Sequence, residues 1–277
     1  LDYEQILADM KDLLVAIHPE AADVIGLESE PLLKVLEVCA FREMIIRARV
    51  NDGARAVMLA SASGADLDQL GAIHGVARQL IDEGDPDAVP PIPAVYEDDA
   101  ALRSRIQMAP EGMSVAGPAG AYVYHALSAS GDVLDASAAS PAPGDVLVTV
   151  LSRQGNGAAS AELVATVSAA LNADHVRPLC DSVTVQPASI RSYAVAAELV
   201  MFEGPDPDVV RQAAQDAVTS HVSDSHRLGR AIRLSALYRA LHQTGVDMVR
   251  LISPTADIEC DPSHAPWCTS VSITISG

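Results

Sequence analysis

The stretch Asp145-Val-Leu-Val-Thr-Val-Leu151 decides how this chain folds: Val146, Val148 and Val150 recur at the two-residue period of a half-buried strand. Directly after it the period changes. Leu163, Val164, Val167 and Leu171, within Ser160 to Asn172, share one face of a helix, and Ser182 to Gln186 reads as a strand again. A strand, helix, strand unit needs neighbours, and Val133 to Ala136 supplies one. The outline recurs downstream. Tyr193, Val195, Ala197, Leu199 and Met201 alternate along a strand, and Pro205 to Val222 is helical with Val210, Ala214, Ala217 and Val218 on one side. Leu234, Leu237, Tyr238 and Leu241 mark another helix, before strands at Met248 to Ile252 and Ser270 to Ile275.

Upstream the helical period rules. Leu7, Met10, Leu13, Leu14 and Ile17 form one stripe that Pro19 stops, and a loop is expected over Glu20 to Ser29. Leu32 to Leu59 predicts one long helix, or two with a break near Asn51-Asp52-Gly53. Arg42, Arg47, Arg49 and Arg55 concentrate there, either as contacts for an acidic partner surface or as a solvated face paired with Glu37 and Glu43. A short helix follows from Gly64 to Gly75. Gly84, Pro86, Pro90, Pro91 and Pro93 exclude regular structure over Asp82 to Tyr96, which reads as a loop, linker or hinge, with Pro187 to Ser192 as a second hinge. Glu97-Asp98-Asp99 then opens a helix whose buried stripe includes Leu102 and Ile106, and Gly117-Pro118 opens another through Leu127. The fold class is α+β: a helical N-terminal region over 1–110, containing the Pro-rich loop 82–96, followed by two small α/β sandwich domains over 111–188 and 189–277.

In 277 residues, 18 Lys and Arg face 37 Asp and Glu, a formal charge of −19 that disfavours binding to nucleic-acid phosphates. Hydrophobic residues make up 49% of the chain and aromatics only 3%, so packed cores are expected and they are aliphatic. No apolar run of about 18 residues and no basic, apolar leader occurs, so neither a membrane span nor a signal is read and a cytosolic chain is expected. Cys39, Cys180, Cys260 and Cys268 lie too far apart for a disulfide framework and are expected to be reduced.

A search for chemistry returns only weak signals. Cys260, His264 and Cys268, with Asp257, Glu259 and Asp261, offer metal-ligand types, but the cysteines are wider apart than zinc pairs, and Pro262 and Pro266 fit an extended connection. Gly155-Asn-Gly157 lies between strand and helix without the Lys-Ser or Lys-Thr of a phosphate-binding loop, so a turn accounts for it. His226, in Ser225-His-Arg-Leu-Gly229, reads as a hydrogen-bonded turn residue before a base, and the acids at 97–99 as a helix start before an acid/base pair. No metal and no cofactor are implied. The rival reading is a cytosolic small-molecule enzyme with a cleft between its two α/β domains, lined by acids such as Asp135, Asp145 or Asp181.

Several phrases, in order, resemble the baseplate J-like proteins of contractile phage tails and tail-like bacteriocins. They are Gly64-Ala-Asp-Leu-Asp-Gln-Leu-Gly-Ala-Ile-His-Gly-Val-Ala-Arg78, Leu102-Arg-Ser-Arg-Ile106 with Ala109-Pro-Glu111, and Ser114-Val-Ala-Gly-Pro118 with Ala121-Tyr-Val-Tyr-His-Ala-Leu-Ser-Ala-Ser130. Val176-Arg-Pro-Leu179, His226-Arg-Leu-Gly229 and Gly245-Val246 extend the set, which spans about Leu33 to Cys268. The resemblance implies a structural wedge component without catalytic residues. It would be present in several copies around the tail hub and would rearrange when sheath contraction is triggered. Its implied partners are copies of itself, other wedge proteins, hub or spike proteins and sheath-proximal components, with no nucleic acid and no membrane, in a baseplate assembled in the host cytoplasm. Arg42, Arg47, Arg49 and Arg55 are the candidate interface residues.

Overall fold

Asp2 starts the first helix: its carboxylate accepts the Glu4 and Gln5 N–H groups, and α1 (Tyr3–Ile17) then runs until Pro19. The computed structural model describes residues 2–114, 116–204 and 206–276. The chain forms two compact units, residues 1–77 and 78–277. In the first, the expected loop after Pro19 contains a 3₁₀ helix (Pro19–Asp23) that buries Ala21. α2 (Pro31–Ala56) is one helix. It passes through Gly53 without the break considered above, since a lone glycine costs a helix only about 1 kcal/mol. Ile6 and Leu7 of α1 pack on Ala40 of α2, with Met10, Leu36 and Met44 around them, and α3 (Gly64–Ile73) buries Leu67 completely.

The second unit opens with a hairpin where irregular chain was expected. β1 (Leu80–Asp82) pairs antiparallel with β2 (Val95–Tyr96), and Asp85 and Ile92 exchange two N–H···O bonds of 2.9 Å. The three prolines after Val89 need no ladder partner of their own, so pairing continues around them. Asp98 caps α4 (Asp99–Gly112) by accepting the Ala101 N–H at 2.7 Å. Glu97 departs from the reading that grouped it with Asp98 and Asp99 at a charged helix start. It is buried, and its Oε1 accepts from the Arg105 guanidinium and, at 2.9 Å, from the Gln79 N–H.

Two sheets follow, each covered on one face by helices. β3 (Val133–Ala139), β4 (Asp145–Ser152) and β5 (Ser182–Pro187) lie in that order, β3 antiparallel and β5 parallel to β4. The parallel pair is joined through α6 (Ala161–Leu171), which Ser160 caps. Tyr122 and Ala126 of α5 (Ala119–Ala129), with Leu163, Val167 and Leu171 of α6, pack over Val133, Val148 and Val150. In the second sheet β6 (Ser189–Met201) is central. It is antiparallel to β7 (Val246–Ser253) and parallel to β8 (His264–Ser276). α7 (Pro207–Ser225) and α8 (Leu234–Leu241) cover it, placing Val210, Ala214, Val218, Leu237 and Leu241 over Val195, Ala197 and Leu199. Pro205, read as the start of α7, lies outside the described residues, as does Val115 of the Ser114–Pro118 phrase. The α+β architecture, with two-layer α/β parts after a helical region, is the one expected.

Pro187 to Ser192 is not a loose joint. Only Ala188 separates β5 from β6; it is buried and donates its N–H to the Val150 carbonyl at 2.9 Å, while Ser189 to Ser192 pair with His264 to Trp267. Pro187, Ser189 and Ser192 sit on strand residues already held by neighbours. Replacing Glu97 by Ala removes the carboxylate that compensates a buried guanidinium and the Gln79 N–H, and is expected to lower unfolding stability by about 3–5 kcal/mol. Urea denaturation of the full chain measures this, and an unchanged midpoint contradicts it.

Candidate functional site

Two features concentrate the side chains that bear on function: the free side of α2 and the junction between the two sheets. On α2, Leu36, Ala40 and Met44 form the stripe packed on α1, and Leu33 is buried on the same side of the helix. Residues at complementary helical positions, Val35, Val38, Phe41, Ile45, Ile46 and Val50, are between 46% and 64% exposed. Arg42 and Arg49 fall inside this second apolar stripe, seven residues apart on the same side of the helix. Neither they nor Arg55 has an acidic partner among the described residues, whereas Arg47 pairs with Glu43 and Glu37 is taken by Lys34. The four arginines are therefore not one cluster: one is bound into the helix surface and three are available. Sequence reasoning missed the stripe itself. Its signal was present: Val35, Val38, Phe41, Ile45 and Ile46 fall on the side opposite Leu36, Ala40 and Met44, more apolar residues than one packed face uses.

Two of the candidate catalytic acids turn out to be fastenings, Asp135 across the junction and Asp181 within the first α/β part. Asp135 on β3 accepts the Ala136 N–H and, across the junction, the Leu228 N–H, both at 2.9 Å. Loss of hydration raises its pKa, and the two N–H donors with the nearby Arg227 and His226 charges oppose that rise. Asp181 accepts the Tyr122 hydroxyl at 2.6 Å, and burial with this bond pushes the tyrosine pKa up. A cavity of about 220 Å³ near α4 is lined by Asp135, Glu97, Arg105, Arg153 and Arg227, among others, but not by Asp145 or Asp181. The three acids of the enzyme reading do not meet.

His226 is a joint residue, as its turn reading expected. It is buried at the end of α7, its Nδ1 lies 2.7 Å from the Pro266 carbonyl, and its ring meets Trp267 edge-on. Gly157 occupies the turn after β4 with φ +94°, and a Cβ there would lie 2.6 Å from Leu151 Cδ1 and 2.7 Å from His226 Nε2. That close approach, rather than phosphate binding, accounts for the glycine. His264 turns to Asp261 at 2.8 Å and Cys268 to the Ser270 carbonyl, and all four cysteines are free. Among the described residues no group of three or more His, Cys, Asp or Glu side chains is arranged to hold a metal, and no helix is long and apolar enough to cross a membrane.

Comparison with known proteins matches residues 28–85 to the baseplate J-like N-terminal domain, 114–187 to its central domain and 193–274 to its C-terminal domain. Baseplate protein J of Escherichia phage P2 is 48% identical over 282 aligned residues, covering 100% of this chain and 93% of that protein. The chain belongs to the baseplate J-like family. It is therefore a structural baseplate protein of a phage tail and not an enzyme, which decides between the two readings that the sequence offered. In that light Asp135 serves to hold the family's central and C-terminal domains together.

Replacing Asp135 by Ala leaves the Leu228 and Ala136 N–H groups without their acceptor and is expected to cost about 1–3 kcal/mol. Because the folded-state pKa is raised, the native state holds the Asp135 proton more tightly than the unfolded chain does. Its contribution to stability thus falls as pH climbs from the usual aspartate value through the raised one. Urea unfolding of both proteins across that window should show the gap between wild type and variant narrowing with rising pH.

Proposed function

We propose that this chain is a wedge component of the baseplate that assembles through the free side of α2 with helices of further copies or of other baseplate proteins. The observation that carries the reading is the long apolar stripe of α2 left without a covering element. Arg42, Arg49 and Arg55 supply polar contacts to carboxylates at the rim of that contact, and Arg47 contributes through its pairing with Glu43. Between Val35 and Val50 the stripe runs for about 24 Å at 1.5 Å per residue, enough to register one helix along another. Hub, spike and sheath-proximal proteins are further proposed partners, with assembly in the host cytoplasm before the particle matures.

In this role the contact holds the wedge while the baseplate is closed and is remade when contraction is triggered. Shear between packed helices is the natural form of such a change, since aliphatic side chains slide past one another at little cost. The scarcity of aromatic residues, 3% of the chain, supports it.

Val38→Glu combined with Ile45→Glu places two charges on exposed positions of α2 and should leave the thermal unfolding of the isolated chain unchanged. In cells producing tails, the same variant should enter particles more than about tenfold less efficiently, the scale expected when an interface anchor is lost. Normal incorporation, measured by quantitative mass spectrometry of purified tails, would refute the assignment of this face. A chain of residues 78–277 should fold and yet be missing from particles, and its recovery in tails would refute the same assignment independently.

A further inference from the structure

The hairpin Leu80 to Tyr96 has a construction that neither the fold nor the α2 contact uses. Its first limb carries Asp82, Glu83, Asp85 and Asp87, all exposed, and no Lys or Arg occurs between Arg78 and Arg103. None of the four has an ion-pair partner among the described residues. Asp82 and Asp85 each use one oxygen on a local turn, accepting the Gly84 N–H at 2.8 Å and the Asp87 N–H at 2.9 Å. The second limb, Val89-Pro-Pro-Ile-Pro-Ala-Val-Tyr96, is uncharged and exposed throughout, with Val89 at 98%.

This is a held structure rather than a loose tether. The Asp85 and Ile92 bonds tie the limbs together, and Gly84, at φ +67°, sits so close to the Ile92 and Pro93 backbone that a Cβ would collide with it. At the base, Gly131 lies directly against the Leu80 carbonyl, and Glu97 N–H donates to the Gln79 carbonyl at 2.9 Å. Pro90, Pro91 and Pro93 have fixed φ and no N–H to satisfy, so this limb gives up little conformational freedom on binding and presents ring faces that aromatic side chains cover well. We propose that the hairpin is a docking arm for an unlike baseplate protein. Its partner surface is basic and carries an aromatic-lined trough: Lys or Arg side chains meet the acidic limb while aromatic rings take Val89 and the prolines.

Charge decides against a second copy of this chain as the occupant. Each copy carries −19 and its aromatic residues number nine, one Trp, six Tyr and two Phe. The tryptophan is already packed on His226. The like net charge opposes two such chains meeting around the arm, the unpaired arginines of α2 are engaged in the contact proposed above, and a basic partner is drawn to the arm. The inference rests on the baseplate reading, since it seeks the partner within the same particle.

The test places the photo-crosslinker p-benzoylphenylalanine at Val89 in the full-length chain, in cells producing complete tails, and analyses purified particles. The expected product joins this chain to a different tail protein at a peptide bearing Lys or Arg and an aromatic residue. Adding Glu83→Lys with Asp87→Lys, whose side chains make no hydrogen bond among the described residues, should reduce that product about tenfold or more without altering the circular dichroism of the chain. An adduct between two copies, an adduct within one chain, or an equal yield from the charge-reversed variant would overturn the docking arm. So would the absence of adduct from particles that contain the labelled chain. Wild-type particles lacking the chain altogether would overturn the baseplate reading and the arm with it.

Discussion

The bond from the Leu228 N–H to the Asp135 carboxylate fixes one sheet of this protein against the other, and most of the second unit is arranged around it. Asp135 belongs to β3 and Leu228 to the turn between α7 and α8, 93 residues apart. Around the bond the surfaces approach closely because the residues are small: Ala188 and Ala265 pack with Leu151, Gly157 admits the His226 ring, and the Ser137 hydroxyl donates to the Pro262 carbonyl at 2.6 Å. Such a junction does not tolerate much sliding. A side chain larger than Ala at 188 or 265 would push the sheets apart, and only one residue separates β5 from β6. The two α/β parts are therefore a tied pair, where a hinge at 187–192 was expected.

That constraint also accounts for why the sequence hinted at chemistry where there is none. Acids, histidines and glycines gather near a cleft in enzymes because the cleft needs them, but here they gather because two curved surfaces meet with polar backbone between them. An N–H group such as that of Leu228 must find an acceptor when it leaves water, and a carboxylate supplies one at the expense of its own hydration. Loss of hydration raises the Asp135 pKa, an effect that also marks a catalytic acid, and only the identity of its partners separates the two. Asp135 faces backbone donors from both sides of the junction.

The strands and helices were legible because each buries one face, so Val146, Val148 and Val150, or Leu163, Val167 and Leu171, carry their own period. What periodicity cannot convey is which neighbour a residue meets. Glu97 illustrates this: its neighbours Asp98 and Asp99 do sit at a solvated helix start, and nothing local distinguishes the one carboxylate that turns inward to Arg105, eight residues on. The hairpin at 80–96 was hidden for a related reason, since a strand of two or three residues is too short to show alternation and its prolines argue against pairing. The reading of α2 failed differently. The apolar recurrence predicts a helix but does not say which face is covered, and the helix carries two patterns on opposite sides of which α1 covers only one.

The charge of the chain limits how copies or partners associate at all. At −19 each, these proteins repel one another at a distance, and a salt-screened solution reduces that repulsion only beyond about 8–10 Å. Contact must then come from local patches where apolar area outweighs the residual field, and α2 is such a patch: its outward stripe is mostly aliphatic, with Phe41 its aromatic member, and its embedded charges, Arg42 and Arg49, have the sign that an acidic neighbour attracts. A stripe that is aliphatic but for one phenylalanine spreads most of its binding free energy over length instead of concentrating it in one pocket. An interface built that way loses little when it shifts by one helical turn, because each side chain exchanges one aliphatic neighbour for another. A large particle that must first hold and then rearrange is served by contacts of this kind more readily than by a few deep anchors.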